Sequence, residues 1–241
     1  MLQPTREDRF RLRPSSVNAA YGSWPKIVDL AEDEPSLGLL EKRGGALIDT
    51  DSASLVERMS LYFDGTRSLE ALPASLQGLK TNWARFKAAD TRDNVLSKRG
   101  FDESNVKRIV MKPMDVQWAY VETLRPLWNE PRPRLVDQLH HVSRFLLARR
   151  RAPRADDGAP FLVSRSLGEE HALHKDAYLI PMYVGATRTG PEDQIGLLDD
   201  VETEVRANVS PAVAAHLDRM GVLPEDTWMH VLAVGYAPAY F

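Results

Sequence analysis

Cysteine is absent from the 241 residues, which removes disulfides, thiolate metal sites and cysteine nucleophiles. No apolar run approaches the roughly 20 residues that carry a helix across a bilayer. The opening residues, MLQPTREDRFRLRP, are charged and lack the apolar centre of a secretory signal, so a cytoplasmic location is expected. A Gly-rich phosphate loop followed by Lys-Ser/Thr is missing, as are a dinucleotide fingerprint and a Gly-x-Ser-x-Gly elbow. The methyl-donor loop and the Asn/Asp-Pro-Pro-Tyr/Phe tetrapeptide of adenine-type methyltransferases are missing too. No motif gives the chain a reaction of its own.

What is present is an ordinary globular composition, 43% hydrophobic and 27% charged, with enough length to bury a core. The net charge of −3 argues against a protein that coats nucleic acid without regard to sequence. That average conceals an asymmetry. Gly185 to Phe241 holds three arginines against nine acids, a balance of −6, so the first 184 residues carry +3. Within them, RFLLARRRAPR (Arg144–Arg154) has five arginines and no acid.

Hydrophobic periodicity organises the chain. Residues 14–35 are short elements broken by Pro14, Gly22, Pro25 and Pro35. After the Gly44-Gly45 turn, Ala46–Asp49 reads as a short strand. Ser52 or Ser54 then caps a helix with Leu55, Met59, Tyr62 and Phe63 on its inner face. Trp83–Lys98 reads as an amphipathic helix or helix pair ended by Gly100. Asp102 opens another short helix burying Val106, Ile109 and Val110. Strands follow at Gln117–Val121, Arg144–Ala148, Pro160–Ser164 and Tyr178–Val184, the last an edge or bulged strand because of Pro181. Helices are expected at Asp199–Ala207, from the Ser210 cap and Pro211 to Gly221, and over Pro224–Val234. The expected fold is α+β: a central, irregular, mostly antiparallel β region flanked by N-terminal and C-terminal helices. It is read as one domain over 1–241, subdivided into a mainly helical 1–110, a β-rich 111–184 and a helical 185–241.

Two clusters have chemical potential. His171 and His174, with Glu169, Glu170 and Asp176, have the spacing for a metal or nuclease-like site but lack further ligands at motif spacing, and polar loop residues are the favoured reading. His140 and His141 are read as surface or turn histidines. The arginine run admits two readings of equal weight. Cations on a strand edge block aggregation; an all-arginine set near Arg132, Arg134 and Arg165 also suits bidentate contact with phosphate or guanine edges.

MKPMDVQWAYVETLRPLWNEPRPRL (Met111–Leu135) packs two tryptophans, four prolines and three arginines into one segment. It resembles the C-terminal specificity domain of type ISP restriction–modification enzymes and related adenine methyltransferases. That family carries an aromatic-Arg-Pro-Phe-Asp-x-Arg-Trp-x-Tyr segment followed by Arg-Pro-Arg. Here Lys112-Pro113-Met114-Asp115, Trp118 and Tyr120 match the first, and Arg132-Pro133-Arg134 the second. Met114 and Gln117 depart from the family's Phe and Arg, and no base contact is placed there. RGGALIDTDSASLVERMSLYFD, the Trp24-Pro25 pair and ARF…VLSKRGFDESNVKRIV resemble the family upstream. PFLVSRSLGEEHAL, YLIPMYV and the tail NVSPAVAAHLDRMGVLPEDTWMHVLAVGYAPAY resemble it downstream.

The resemblance implies a module that grips double-stranded DNA and reads a short site for a methyltransferase that extrudes the target adenine. Arg149, Arg150, Arg151 and Arg154 would neutralise phosphates. Arg144, Ser164, Arg165 and Ser166 would reach base edges, and Arg132 and Arg134 would present guanidinium groups from a proline-stiffened backbone. Asp115, Trp118 and Tyr120 are read as structural, Asp115 bonding the turn. S-adenosylmethionine would belong to a methyltransferase part, fused or separate, with a helicase-nuclease part as a further partner. With no methyltransferase core, the chain is expected to be an excised domain or a stand-alone specificity protein. The competing class is an accessory interaction subunit of a phage-defence complex, docking a basic partner through its acidic C-terminal helices. A weaker one is a metal-dependent nuclease at Glu169, Glu170, His171 and His174.

Overall fold

The computed structural model describes residues 25–139, 143–149, 160–173, 176–185 and 205–236. Its N-terminal half runs β1 (Ser36–Leu37), β2 (Ile48–Asp49), α1 (Ser52–Phe63), α2 (Gln77–Lys80), α3 (Ala88–Lys98), β3 (Val106–Lys112) and β4 (Asp115–Tyr120). There follow α4 (Pro133–Val136), β5 (Phe145–Arg149), β6 (Phe161–Ser164), β7 (Leu167–Gly168), β8 (Ala177–Pro181) and β9 (Tyr183–Gly185). β10 (Val205–Ala207), α5 (Pro211–Met220) and α6 (Asp226–Gly235) end the described chain. The class is α+β, as expected, and the strand pairs are antiparallel except where β7 joins β3.

Two sheets set the frame. One has the order β2-β4-β3-β7, the other β1-β8-β5-β6; a small pair, β9 and β10, extends from the end of β8. The chain changes sheet at a corner two residues long: β6 ends at Ser164 in one sheet, and β7 starts at Leu167 in the other. β5 is buried along its whole length because both of its faces are covered. Side chains alternate across a strand. Accordingly Phe145 and Leu147 enter the larger core with Leu39, Tyr62, Trp128 and Leu179. Leu146 and Ala148 enter a smaller one with Ile180, Met182 and Trp228.

Helix α1 forms as its periodicity dictates: Leu55, Met59, Tyr62 and Phe63 are buried. Its cap is Asp51, whose carboxylate accepts the Ser54 N–H at 2.7 Å, rather than Ser52 or Ser54. The turn into β2 is organised by the buried Glu41 carboxylate, which accepts the N–H groups of Arg43, Gly45 and Leu47. Gly44 and Gly45 supply the positive φ angles (64° and 82°) that this turn requires. Three arginines serve the backbone. Arg43 donates to the carbonyls of Leu127 and Pro126, Arg58 to those of Ala46 and Ile48, and Arg92 to those of Tyr62, Asp64 and Arg67.

The Tyr62 hydroxyl is buried with no hydrogen-bond partner among the described residues, and burial pushes its pKa well above the ordinary phenol value. An orphaned polar group opposes folding. Tyr62→Phe should therefore leave stability unchanged or raise it by up to about 1 kcal/mol in urea titration. A loss would show that the hydroxyl contributes.

Four expectations are corrected. Asp102 opens a single 3-10 turn, Glu103–Asn105, and Val106, Ile109 and Val110 belong to strand β3. Ile109 and Val110 are adjacent yet both buried in the larger core, which erases the alternation that marks a half-exposed strand. The Trp83–Lys98 segment is helical only from Ala88; Trp83–Phe86 is a closed turn. Val205–Ala207 is a strand, drawn into pairing with Tyr183–Gly185, and the rest of the helix expected from Asp199 lies outside the described residues. The strand expected over Tyr178–Val184 is not an edge, since β8 lies between β1 and β5, but it does break just after Pro181, at Met182, before β9. The Pro211 start and the left-handed Gly221 stop of α5 are as read, although the Ser210 side chain makes no capping bond.

Candidate nucleic-acid interface

The arginines named from sequence fall at opposite ends of the β1-β8-β5-β6 sheet. Arg144 immediately precedes β5 and Arg149 is its last residue. Five steps along an extended chain separate them by about 17 Å, so the run is not one compact patch.

At the Arg144 end, Phe145 pairs with both Ser164 and Pro181. The Arg144 carbonyl accepts the Met182 N–H at 2.7 Å, and its guanidinium donates to the Ser143 carbonyl. Here lies the corner between sheets. The Ser164 hydroxyl accepts the Ser166 N–H at 2.9 Å and tightens the turn. That turn places Arg165 outward, exposed and without an ion pair among the described residues. Arg144, Ser164, Arg165 and Ser166 are thus brought together at a two-residue connection held at both ends by strands.

At the opposite end, Arg149 pairs with Ala177 and is 7% exposed. The Ala177 N–H donates to the Glu170 carbonyl, and the Gly38 N–H to the Ala177 carbonyl. Arg132 joins this knot from a left-handed backbone (φ 50°). Its guanidinium donates to the Gly38 carbonyl at 3.3 Å and to Glu170 Oε2 at 3.0 Å, with Glu130 Oε2 at 3.5 Å. The proline-flanked element therefore turns Arg132 inward and leaves Arg134 as its exposed cation. Arg150, Arg151 and Arg154 lie outside the described residues, as do His140, His141 and His174.

The acidic and histidine cluster is distributed among internal partners. Glu170 holds Arg132, while Glu169 accepts the His171 N–H and lies 3.0 Å from its Nδ1. Among the described residues no group of His, Asp and Glu has the arrangement to hold a metal ion.

The family-defining segment splits by burial. Tyr120 is fully buried, stacked on Phe101 at 5.9 Å, with its hydroxyl accepting the Asp102 N–H. Desolvation raises its phenol pKa. Trp128 is fully buried and donates to the Tyr120 carbonyl at 2.7 Å. Trp118 is half-buried, with the Arg108 guanidinium 4.9 Å from its ring. Asp115 accepts from the Gln117 amide at the exposed β3–β4 hairpin, so its bond is to a side chain of β4 rather than to the turn backbone.

Reasoning from sequence missed one exposed basic feature. The turn at Trp83 presents that indole 76% exposed beside the exposed Arg85 and Lys87. A helical assignment of the segment concealed it. The usable signal was the run from Ala71 to Ala89, nineteen residues without an acid.

A family model described as the Type ISP C-terminal specificity domain matches residues 33–241. The chain belongs to this family. No match is found among curated proteins. Three solved structures share the fold of this specificity domain. An electron cryo-microscopy structure of a DrdV–DNA complex is 17% identical with a TM-score of 0.57, over 97% of this chain and 21% of that one. The ATP-dependent Type ISP restriction-modification enzyme LlaBIII bound to DNA is 13% identical with a TM-score of 0.63, over 99% and 15%. A nuclease-deletion mutant of the Type ISP enzyme LlaGI, in complex with a DNA substrate mimic, is 13% identical with a TM-score of 0.52, over 99% and 21%. The specificity domain thus corresponds to between 15% and 21% of the length of these proteins.

Proposed function

We propose that this specificity domain recognises a short sequence in double-stranded DNA on behalf of a restriction–modification adenine methyltransferase, and catalyses nothing itself. The observation that carries this reading is the family match over residues 33–241, supported by DNA-bound neighbours of the same fold. Arg144, Ser164, Arg165 and Ser166 form the base-reading end: the exposed guanidinium on a short, anchored corner suits a bidentate contact with a guanine edge. Arg134 contacts phosphate, as do Arg150, Arg151 and Arg154. Arg132 and Arg149 act from within, shaping the opposite end of the sheet.

S-adenosylmethionine is bound by the methyltransferase part, and a helicase-nuclease part is a further partner. The work is cytoplasmic; among the described residues no helix is long and apolar enough to cross a membrane. Selection of bound sites from a random duplex pool tests the reading, with an enriched motif expected. An unenriched pool overturns it. Arg134→Ala should weaken binding to all duplexes alike and lower the slope of log K against log salt by about 1; a loss confined to the preferred site would make Arg134 a base reader.

An accessory docking role draws support from one observation: α5 buries none of its residues fully, and Met220, Leu223 and Met229 lie exposed on or beside the C-terminal helices. That surface serves attachment to the rest of the enzyme. Binding to an unpaired partner subunit without any duplex preference would favour this role as the sole one.

A further inference from the structure

The turn from Asn82 to Lys87 is built to project an aromatic ring. Trp83 and Phe86 close on each other through two backbone bonds: the Trp83 N–H donates to the Phe86 carbonyl (3.1 Å) and the Phe86 N–H to the Trp83 carbonyl (2.8 Å). Ala84 adopts φ 48°, a left-handed conformation that residues with a Cβ avoid unless the surroundings impose it. The surroundings do. Phe86 is buried with the Arg43 guanidinium 4.0 Å from its ring, and the Asn82 side chain accepts the Ala88 N–H at 2.8 Å where α3 begins. With Phe86 as the anchor, Trp83 is held outward.

The charge flanking it in sequence has one sign, since residues 71–89 hold no acid. Arg85 and Lys87 flank the ring in sequence and are exposed. Lys42, exposed, directly precedes Arg43, whose guanidinium lies over Phe86 and whose carbonyl abuts Gly78 so closely that a Cβ there would stand 1.7 Å away. None of these three cations has an ion pair among the described residues, whereas Lys80 is turned onto the carbonyls of Glu70 and Leu72. A protein-docking tryptophan needs an apolar surround that excludes water; this one has cations.

We propose that Trp83 stacks on an unpaired base of bound DNA while Lys42, Arg85 and Lys87 hold the flanking phosphates. Indole stacks on base faces without regard to sequence, and basic residues beside it track the backbone. In an intact duplex those faces are covered by neighbouring bases, so the base that Trp83 meets is one that has left the stack. This is a different contact from edge reading by Arg165, and it rests on the proposal that the domain binds DNA.

The test compares the full chain with its Trp83→Ala and Trp83→Phe variants on two labelled probes: a duplex recovered from a random pool, and the same duplex with a few unpaired bases. Trp83→Ala should weaken the unpaired probe about 5- to 150-fold and change the paired one little, with Trp83→Phe between. Changing Lys42, Arg85 and Lys87 together to Ala should lower the salt slope by about 2 to 3. The ring lies outside the core, so the variants' melting temperatures should match the parent's. Loss on neither probe, or equal loss on both, overturns the assignment, and so does loss of a protein partner with DNA binding intact. If the parent binds neither probe, the DNA-binding reading itself fails; if the parent binds and the Trp83 variants bind both probes as it does, this assignment alone fails.

Discussion

Arg92→Ala is expected to lower the unfolding free energy by about 3–5 kcal/mol. Arg92 is 5% exposed, and its three guanidinium nitrogens reach three different carbonyls: Tyr62 at 2.9 Å, Asp64 at 2.7 Å and Arg67 at 2.7 Å. These carbonyls lie at and just beyond the end of α1, past the reach of its i→i+4 ladder, and Asp64 alone keeps a backbone donor, the Arg67 N–H. The cation also lies where the helix dipole favours positive charge, and 5.7 Å from the Tyr62 ring. Alanine would strip the Tyr62 and Arg67 carbonyls of this donor and leave Asp64 with only the Arg67 N–H at 3.1 Å. Each costs about 1–3 kcal/mol when left buried and unpaired, and water entering the vacated space recovers part of the sum. Arg92→Lys should rescue little, because a single ammonium does not span the fork. Urea titration gives the number, and hydrogen exchange at residues 64–67 should quicken first. A loss below about 1 kcal/mol would show that the three bonds are replaceable.

The second large effect concerns recognition. Arg165→Ala should cost about 1–3 kcal/mol on the preferred duplex and relax preference at one base pair. Combining it with Arg144→Ala should cost about 2–6 kcal/mol if the two sites are independent. The reasoning is geometric. Arg165 is exposed on a corner closed by the Ser164 hydroxyl, with both flanks fixed in strands, so little backbone ordering remains to be achieved on binding. Unrelated duplexes should lose much less affinity, since they offer phosphates but not the right edge. Competition binding with preferred and unrelated duplexes separates the two. Equal loss on both would reassign Arg165 to phosphate contact.

How much of this was visible in the residues varied with local physics. Helix α1 was legible because one of its faces meets the core and the other meets water, so its apolar positions follow the helical period. β5 was legible from an unbroken apolar run, although nothing in that run revealed that its two faces feed different cores. β3 was not legible: with Ile109 and Val110 both buried it lacks alternation, and Val106, Ile109 and Val110 mimic helical spacing. Val205–Ala207 owes its strand state to a partner about twenty residues away, which local sequence does not encode. The candidate site was legible as charge and illegible as geometry. Five arginines in eleven residues look like one patch, yet a strand lies between the first and the next, and Arg132 is claimed by Glu170 from a distant segment.

On the proposed reading, the two-residue corner between Ser164 and Leu167 bears on how target choice drifts over generations. Insertions are the usual currency of loop evolution, because a surface loop absorbs extra residues cheaply. This connection is denied that route. A residue added between β6 and β7 would shift the register against β5 on one side or β3 on the other, and a shift by one exchanges the inward and outward faces of the strand that moves. Descendants of this chain would acquire new targets at this corner by swapping side chains at positions 164–166 within a constant length. Libraries for retargeting the domain should do likewise, randomising identity there and leaving spacing untouched.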